Sequence, residues 1–421
     1  MRFKKVIGLA LMIVLAVGIL VPTLAAGNPR TLRIITNTNG ETERRAYGAV
    51  IEAFLAENPD VQVEYEAFAP SAYYQIMQTR VANDEVDLFV LTDPMQASAT
   101  YWRPMIAADK LLDITEQPFL DIYAPDLLKG YASVDNRVYG IPVTGSVFVG
   151  FYNKDLFNEL GIAGPPSTWN ELMEINETLK TAGYTAIALG NKDLWPAILG
   201  GSLIASNVLR DSPGFFDRLW NDEARLDGPE YTKTMEMWAD LIPYYTPGAQ
   251  GIPYEASIQE FANGRAGMFI DGDWNIGAIN AANPQFEVGV FALPVNEDPD
   301  AKAAIVMKSA VMVGLNTQNK DLAIRFLEFF SQPAMHSKFS SVAQTIPVVA
   351  GAGEHTGLVA DIVELLDEHP LLAEERVYYM PGADVAFLDA FLKMYLEGST
   401  PQEVAEWMQD RLERSKPRWE R

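Results

Sequence analysis

The chain has 421 residues, of which 48% are hydrophobic and 21% are charged, so it can fill the cores of two or three domains and is not expected to be disordered. Lys and Arg number 32 against 56 Asp and Glu, and the net charge of −24 disfavours nucleic acid and anionic membranes as partners. The chain has no cysteine, which excludes disulfides, cysteine nucleophiles and thiolate metal sites.

Residues 1–26 have the pattern of a secretory signal peptide. Basic residues come first, an uncharged apolar run from Val6 to Val21 follows, and small residues suitable for cleavage come next. The apolar run of 16 residues is shorter than the roughly 20 that a membrane-spanning helix needs. Gly27 stands where a bacterial lipoprotein would carry its acylated cysteine. We therefore expect a periplasmic or extracellular protein that is secreted, soluble and without a lipid anchor.

The chain after residue 26 begins with alternating strands and helices. Residues 32–36 predict a strand, residues 41–55 have the apolar spacing of a helix, and residues 61–65 alternate as a strand. A second helix over 71–81 and a third strand over 86–91 follow. This order indicates an α/β fold with a mostly parallel sheet covered on both faces.

The loops after the first and third strands are candidate ligand loops. Ligands of open α/β sheets bind beyond the carboxyl ends of the strands. Here those ends are residues 36–42 and 92–94, and both are rich in hydrogen-bonding side chains. Ordinary polar loops explain each segment equally well when it is taken alone.

A family resemblance begins in the middle of the chain. Residues 139–157, YGIPVTGSVFVGFYNKDLF, with 164–171, GPPSTWNE, resemble the family 1 extracellular solute-binding proteins of ABC importers, such as maltose-binding protein. Four further segments are similar to elements of that family, in the same order: 260–274, 288–294, 319–330 and 397–404. The resemblance extends over nearly all of the chain after residue 26.

The resemblance implies a two-lobed periplasmic-binding-protein fold of type II. Its two discontinuous α/β lobes would enclose a ligand cleft, and the chain would cross a hinge between them several times. The implied lobes are 28–145 plus 296–347 for lobe one and 146–295 plus 348–421 for lobe two. The implied crossings lie near 144–147, 293–297 and 346–350.

The stretch 268–277, MFIDGDWNIG, is the strongest candidate for a sugar contact. A sugar presents C–H groups on its faces, which suit an aromatic ring, and hydroxyls on its edge, which suit carboxylates and amides. By the resemblance, Trp274 would be the platform and Asp273 an acceptor for the hydroxyls. Gly272 would let the backbone approach closely.

The resemblance implies further ligand contacts elsewhere in the chain. On lobe one they are Asn39, Glu41 and Asp93, and at the crossing they are Thr144 and Ser146. Trp195 is either a second platform or a core residue. Phe387 is explained equally well by a platform and by an amphipathic helix.

The expected function is capture of a carbohydrate, a mono- or oligosaccharide, and its delivery to an ABC permease by a monomer without cofactor or catalytic residues. The three histidines lack metal-ligand spacing, so no metal site is expected. Two alternatives stay open. One is a binding protein for a polyamine or an iron complex, and the other is a secreted carbohydrate-active enzyme.

Overall fold

The structure, a computed structural model, describes residues 30–38, 40–92, 102–212, 214–349, 351–352, 355–373 and 384–415. The predicted signal peptide, Asn39 and Asp93 lie outside these residues. Within them, no helix combines the length and the apolar character needed to cross a membrane.

The first three strands confirm the predicted alternation of strands and helices at the start of the chain. They are β1 (Arg30–Asn37), β2 (Val61–Phe68), β3 (Leu88–Leu91), β4 (Ser133–Val134), β5 (Arg137–Val138), β6 (Gly140–Asn153), β7 (Thr185–Ile187), β8 (Ala266–Gly272), β9 (Val288–Phe291), β10 (Ile305–Gly314) and β11 (Leu371–Ala373).

The helices include both of those predicted near the start of the chain. They are α1 (Glu41–Glu57), α2 (Pro70–Ala82), α3 (Trp102–Ala107), α4 (Pro125–Leu127), α5 (Lys154–Glu159), α6 (Trp169–Thr181), α7 (Trp195–Val208), α8 (Phe215–Trp220), α9 (Pro229–Leu241), α10 (Tyr254–Ala262), α11 (Ile276–Ala282), α12 (Lys320–Phe330), α13 (Pro333–Ala343), α14 (Leu358–Glu368), α15 (Asp384–Leu392) and α16 (Pro401–Ser415). A 3₁₀ turn, Asp273–Asn275, joins β8 to α11.

Nine of the described strands form one sheet in the order β2-β1-β3-β10-β6-β8-β7, with β11 beside β10 and β9 beside β6, and β4 and β5 form a separate two-stranded sheet. The first three strands are parallel, as predicted, but the sheet as a whole is mixed and not mostly parallel. The two long strands β6 and β10 are antiparallel to each other, and β10 is also antiparallel to β3. All residues of β6 are buried, as expected for a central strand covered on both faces.

The apolar side chains form separate cores at the two ends of this sheet. One cluster takes its buried residues from 32–143 and 310–349, and we call this part the first lobe. Two further clusters take theirs from 147–306 and 358–412, and we call this part the second lobe. Strands β6 and β10 each contribute to both lobes. The chain is therefore discontinuous in both lobes.

The contacts of β10 bear on the second crossing, because Ile305 and Val306 pack in the second-lobe clusters and Val311 packs in the first-lobe cluster. The carbonyl of Asn296 accepts a hydrogen bond from Trp169 N at 2.9 Å, in the second lobe. From these contacts we propose moving residues 296–306 to the second lobe. The other implied boundaries stay predictions.

Candidate functional site

A pocket lies between the two lobes. Its volume is about 360 Å³, which is large enough for a small organic ligand. The first lobe lines it with the start of α1 and the end of α13, and the second lobe lines it with α10, α11 and the turn before α11. The lining residues are Gly40, Glu41, Thr42, Glu43, Gln259, Trp274, Ala278, Ala281, Ala282, Ala343 and Thr345. We call this the interlobe pocket.

Trp274 is the only aromatic ring among these described lining residues. It lies in the 3₁₀ turn between β8 and α11, and it is partly exposed. Its Nε1 donates to Tyr254 Oη at 2.8 Å, and its ring meets that of Phe148 edge to face, with centroids 5.6 Å apart. The indole of Trp274 is therefore both packed against the protein and partly exposed to the pocket.

Gly272 is explained by the packing of this ring. A Cβ at position 272 would lie 2.0 Å from Trp274 Cζ3, so the six-membered ring occupies the space that any side chain would take. The expected reason for this glycine was close approach of the backbone to a ligand. The contact with the ring is a different reason for the same residue.

Tyr254, the first residue of α10, is hydrogen-bonded to the 3₁₀ turn that contains Trp274. Its hydroxyl donates to Asp271 Oδ1 at 3.0 Å and accepts from Asn275 Nδ2 at 2.7 Å. Asp271 Oδ1 also accepts from Gly272 N at 2.8 Å. Burial raises the pKa of Tyr254 well above its ordinary value, and the nearby negative charge of Asp271 raises it further. The hydroxyl is therefore neutral and remains a donor at any physiological pH.

Asp273 is fully buried, with 0% of its surface exposed. Its Oδ1 accepts a hydrogen bond from Val147 N at 3.0 Å. This bond ties the Trp274 turn to β6 at the point where that strand enters the second lobe. In this structure the carboxylate therefore supports the crossing strand, and its predicted contact with a sugar hydroxyl stays a prediction.

Thr144 and Ser146 lie where three segments of the chain pass between the lobes. Both side chains are buried, and their hydroxyl oxygens are 3.5 Å apart. The carbonyl of Thr144 accepts from Ser309 Oγ in β10 at 2.8 Å. The amide of Gly145 donates to the carbonyl of Ile346 at 3.2 Å. Their place at the hinge crossing and their contact with ligand both stay predictions.

Trp195 approaches the same tyrosine as Trp274. Its ring centroid lies 4.5 Å from that of Tyr254, and the ring is partly buried against the second-lobe core. Leu194, just before it, has φ +67° and ψ −38°, and Trp195 N donates to Asp193 O at 2.9 Å. This is the rare, strained form of the γ-turn. Backbone strain of this kind concentrates at functional sites, which favours a role for this turn.

Of the other residues considered as ligand contacts, one lines the pocket, two lie outside the described residues and one is in the core. Glu41 is exposed at the start of α1, lines the interlobe pocket with Trp274, and forms an ion pair with Arg44. Asn39 and Asp93 lie outside the described residues. Phe387 is buried and stacks on Trp238 with centroids 5.3 Å apart, so it belongs to the second-lobe core.

The two lobes touch beside the pocket. A Cβ at Gly277 in α11 would lie 2.9 Å from Thr42 Cγ2 in α1. Asn280 Nδ2, also in α11, donates to Gln344 Oε1 at 3.1 Å, at the end of α13. Through these contacts α11 meets α1 and the end of α13 of the first lobe.

Sequence reasoning missed Tyr254, Gln259 and Thr345, whereas Thr42 lies in the candidate loop 36–42. Tyr254 follows a proline at the start of a helix, which predicts the helix but not the role of the ring. Gln259 and Thr345 come from different lobes and line the same pocket.

Comparison with known proteins agrees with this architecture. The sequence profile described as bacterial extracellular solute-binding protein matches residues 39–336. A multiple sugar-binding protein of Streptococcus mutans is 24% identical over 319 residues, which cover 72% of each chain.

Two solved structures have the same fold. A chitin oligosaccharide binding protein aligns with a TM-score of 0.78 at 20% identity, over 93% of this chain and 100% of that one. A solute-binding protein in complex with raffinose aligns with a TM-score of 0.75 at 21% identity, over 91% and 100% of the two chains. These alignments confirm the predicted two-lobed solute-binding fold. Together with the profile match over most of its length, they show that the chain belongs to the bacterial extracellular solute-binding protein family.

Proposed function

We propose that this protein captures a mono- or oligosaccharide in the interlobe pocket and delivers it to the permease of an ABC importer. The observation that carries the proposal is the partly exposed ring of Trp274 in a pocket lined by both lobes. An indole ring suits the C–H face of a sugar, and a small number of polar groups suits its hydroxyls. Glu41, Gln259 and Thr345 supply such groups around the ring. The names of the related proteins, for multiple sugars, chitin oligosaccharide and raffinose, support the same ligand class.

The remaining contacts belong to the same proposal. Thr144, Ser146 and Asp273 would reach the ligand from the crossing, and Trp195 would extend the aromatic surface. Asn39 and Asp93 would complete the first-lobe side. A ligand that contacts both lobes favours their approach, because it adds contacts that exist only when the lobes are together.

The proposed location and state of the protein follow from its N-terminal sequence and its family. We propose export with removal of residues 1–26, no lipid anchor because Gly27 replaces the acylated cysteine, and a monomer in the periplasm or outside the cell. Its role is binding without catalysis. Intact mass and light scattering of the exported protein test these statements. A mass that includes Met1, an added acyl chain, or a dimer would contradict the corresponding one.

A cationic ligand such as a polyamine is the second candidate. The charged side chains among the described lining residues are Glu41 and Glu43, and an indole ring attracts a cation. Glu41, however, is already paired with Arg44. For an iron complex the described residues provide no cluster of three His, Asp or Glu side chains able to hold the metal.

A thermal-shift screen decides between these ligand classes. The panel contains glucose, maltotriose, raffinose and chitotriose against putrescine, spermidine and ferric citrate. A ligand at a hundred times its Kd stabilises the native state by about 2.7 kcal/mol, which is on the order of 5–10 °C for lobes of this size. We expect a shift of this order with at least one sugar. Shifts with a polyamine alone would overturn the sugar assignment, and release of products from an incubated glycan would show an enzyme instead.

A further inference from the structure

The strongest unassigned feature near the pocket is the buried hydroxyl of Tyr254. We infer that Tyr254 is a positioning residue that fixes the orientation of the Trp274 ring, so that the second lobe presents this ring to a ligand in one preset orientation. The inference rests on the proposed function for its binding consequence. The orientation itself is a property of the ligand-free protein and can be measured without any sugar.

The hydrogen bonds of Tyr254 tie its hydroxyl to three side chains. A phenol hydroxyl has one proton to donate and two lone pairs that accept. The proton has two acceptors at 3.0 Å, Asp271 Oδ1 and Asn275 Oδ1, and the lone pairs receive Trp274 Nε1 at 2.8 Å and Asn275 Nδ2 at 2.7 Å. Every position is filled by a side chain from the turn or from the strand before it. Rotating the indole would therefore break a bond inside a nearly buried network, where an unmet polar group is costly.

Packing restrains the Trp274 ring from two further directions. Its six-membered ring covers Gly272, where even a methyl group would come within 2.0 Å. The ring of Phe148 meets it at an interplanar angle of 85°. With the Nε1–H bond to Tyr254, three contacts restrain the indole. The rest of the indole lines the interlobe pocket.

Tyr254 acts through Trp274 and not by touching the ligand. Only 3% of its surface is exposed, and the ring of Trp195 lies against it with centroids 4.5 Å apart. A preset ring loses less conformational freedom when a ligand binds, which strengthens binding without adding a contact. The tyrosine thereby joins the two candidate platforms, Trp274 and Trp195, into one aromatic unit of the second lobe.

The first experiment measures Trp274 in the ligand-free protein. Hydrogen exchange of its indole N–H is followed by NMR in wild type and in Tyr254→Phe, with the resonance assigned by its absence in Trp274→Phe. We expect exchange at least tenfold faster in Tyr254→Phe. Unchanged exchange would overturn the positioning role. Tyr73→Phe is the matched control, because Tyr73 is a buried first-lobe tyrosine that donates to the carbonyl of Val90 at 2.6 Å. It should leave Trp274 exchange unchanged.

The second experiment is a double-mutant cycle read by calorimetry, with the panel sugar that binds wild type most tightly. Tyr254→Phe should weaken binding about five- to thirtyfold when Trp274 is present. In the Trp274→Phe background, which lacks the indole N–H, it should weaken binding less than twofold. Equal losses in both backgrounds would show that Tyr254 does not act through Trp274. If no panel sugar binds wild type, the proposed function fails, and the exchange experiment still decides the positioning role.

Discussion

Replacing Gly277 by alanine should weaken ligand binding although residue 277 does not line the pocket. The added Cβ would lie 2.9 Å from Thr42 Cγ2, 3.1 Å from its Cβ and 3.2 Å from its Oγ1. Carbon atoms prefer separations of about 3.5–4.0 Å, so the two lobes must move apart by several tenths of an ångström or tolerate the clash. If the proposed function is right, this clash destabilises the closed arrangement of the lobes, in which α1 and α11 touch.

The expected size of the effect follows from the cost of overpacking. Extra methyl groups in a packed contact cost about 1–3 kcal/mol. If the strain is confined to the closed arrangement, ligand affinity should fall by about five- to 150-fold. Thr42→Ser removes Cγ2, the nearest of the three atoms, and should restore part of the affinity when combined with Gly277→Ala.

The assays are calorimetry with the best panel sugar and small-angle scattering with and without it. Gly277→Ala should have a larger radius of gyration than wild type at saturating sugar. Gly48→Ala is the matched control, because this glycine of α1 has open space around it and should change affinity by less than twofold. An unchanged affinity in Gly277→Ala, or no recovery with Thr42→Ser, would refute the reasoning.

Three further predictions concern Trp274, its supporting glycine and a buried histidine. Trp274→Ala should weaken sugar binding by about 2–4 kcal/mol in calorimetry, as loss of a buried aromatic anchor does; a lowered melting temperature with affinity within threefold of wild type would instead make the ring a packing residue. Gly272→Ala should displace the indole, because its Cβ would meet the ring at 2.0 Å, and should shift tryptophan fluorescence in the ligand-free protein; an unchanged spectrum would contradict this. Burial lowers the pKa of His336 from 6.5 to about 4, so the unfolded chain takes up the proton first as the pH falls. Between pH 7 and pH 5 wild type should therefore lose about 2 kcal/mol of unfolding free energy relative to His336→Gln in urea melts, and parallel losses would exclude this histidine as the cause.

The local elements near the start of the chain were predictable because their signals are local. The apolar periodicity of α1 and the alternation of β2 appear in the sequence, and the observed bounds differ from the predicted ones by only a few residues. The two-lobed fold was predicted from the resemblance of ordered motifs, and the comparisons confirm it. Periodicity alone indicated an α/β chain without showing that both lobes are discontinuous.

The candidate site was likewise predictable only in part from the sequence. The stretch MFIDGDWNIG pointed to Trp274 through the family resemblance and through the suitability of an aromatic ring beside carboxylates for a sugar. By itself it did not show that Asp273 is buried and bonds to Val147 N, or that Trp274 Nε1 donates to Tyr254 Oη.

The residues along the chain indicate the class of protein through a signal-peptide pattern, acidity, the absence of cysteine, alternating elements near the start and the motif order of a solute-binding family. Which side chains meet depends on tertiary packing. Tyr254 and Trp274 are 20 residues apart, and Thr42 and Gly277 come from different lobes. A pattern along the chain records the face that each element buries, whereas these contacts depend on how α1, α10 and α11 are set against the shared sheet. That placement results from the packing of all the elements together and is not encoded in any one of them.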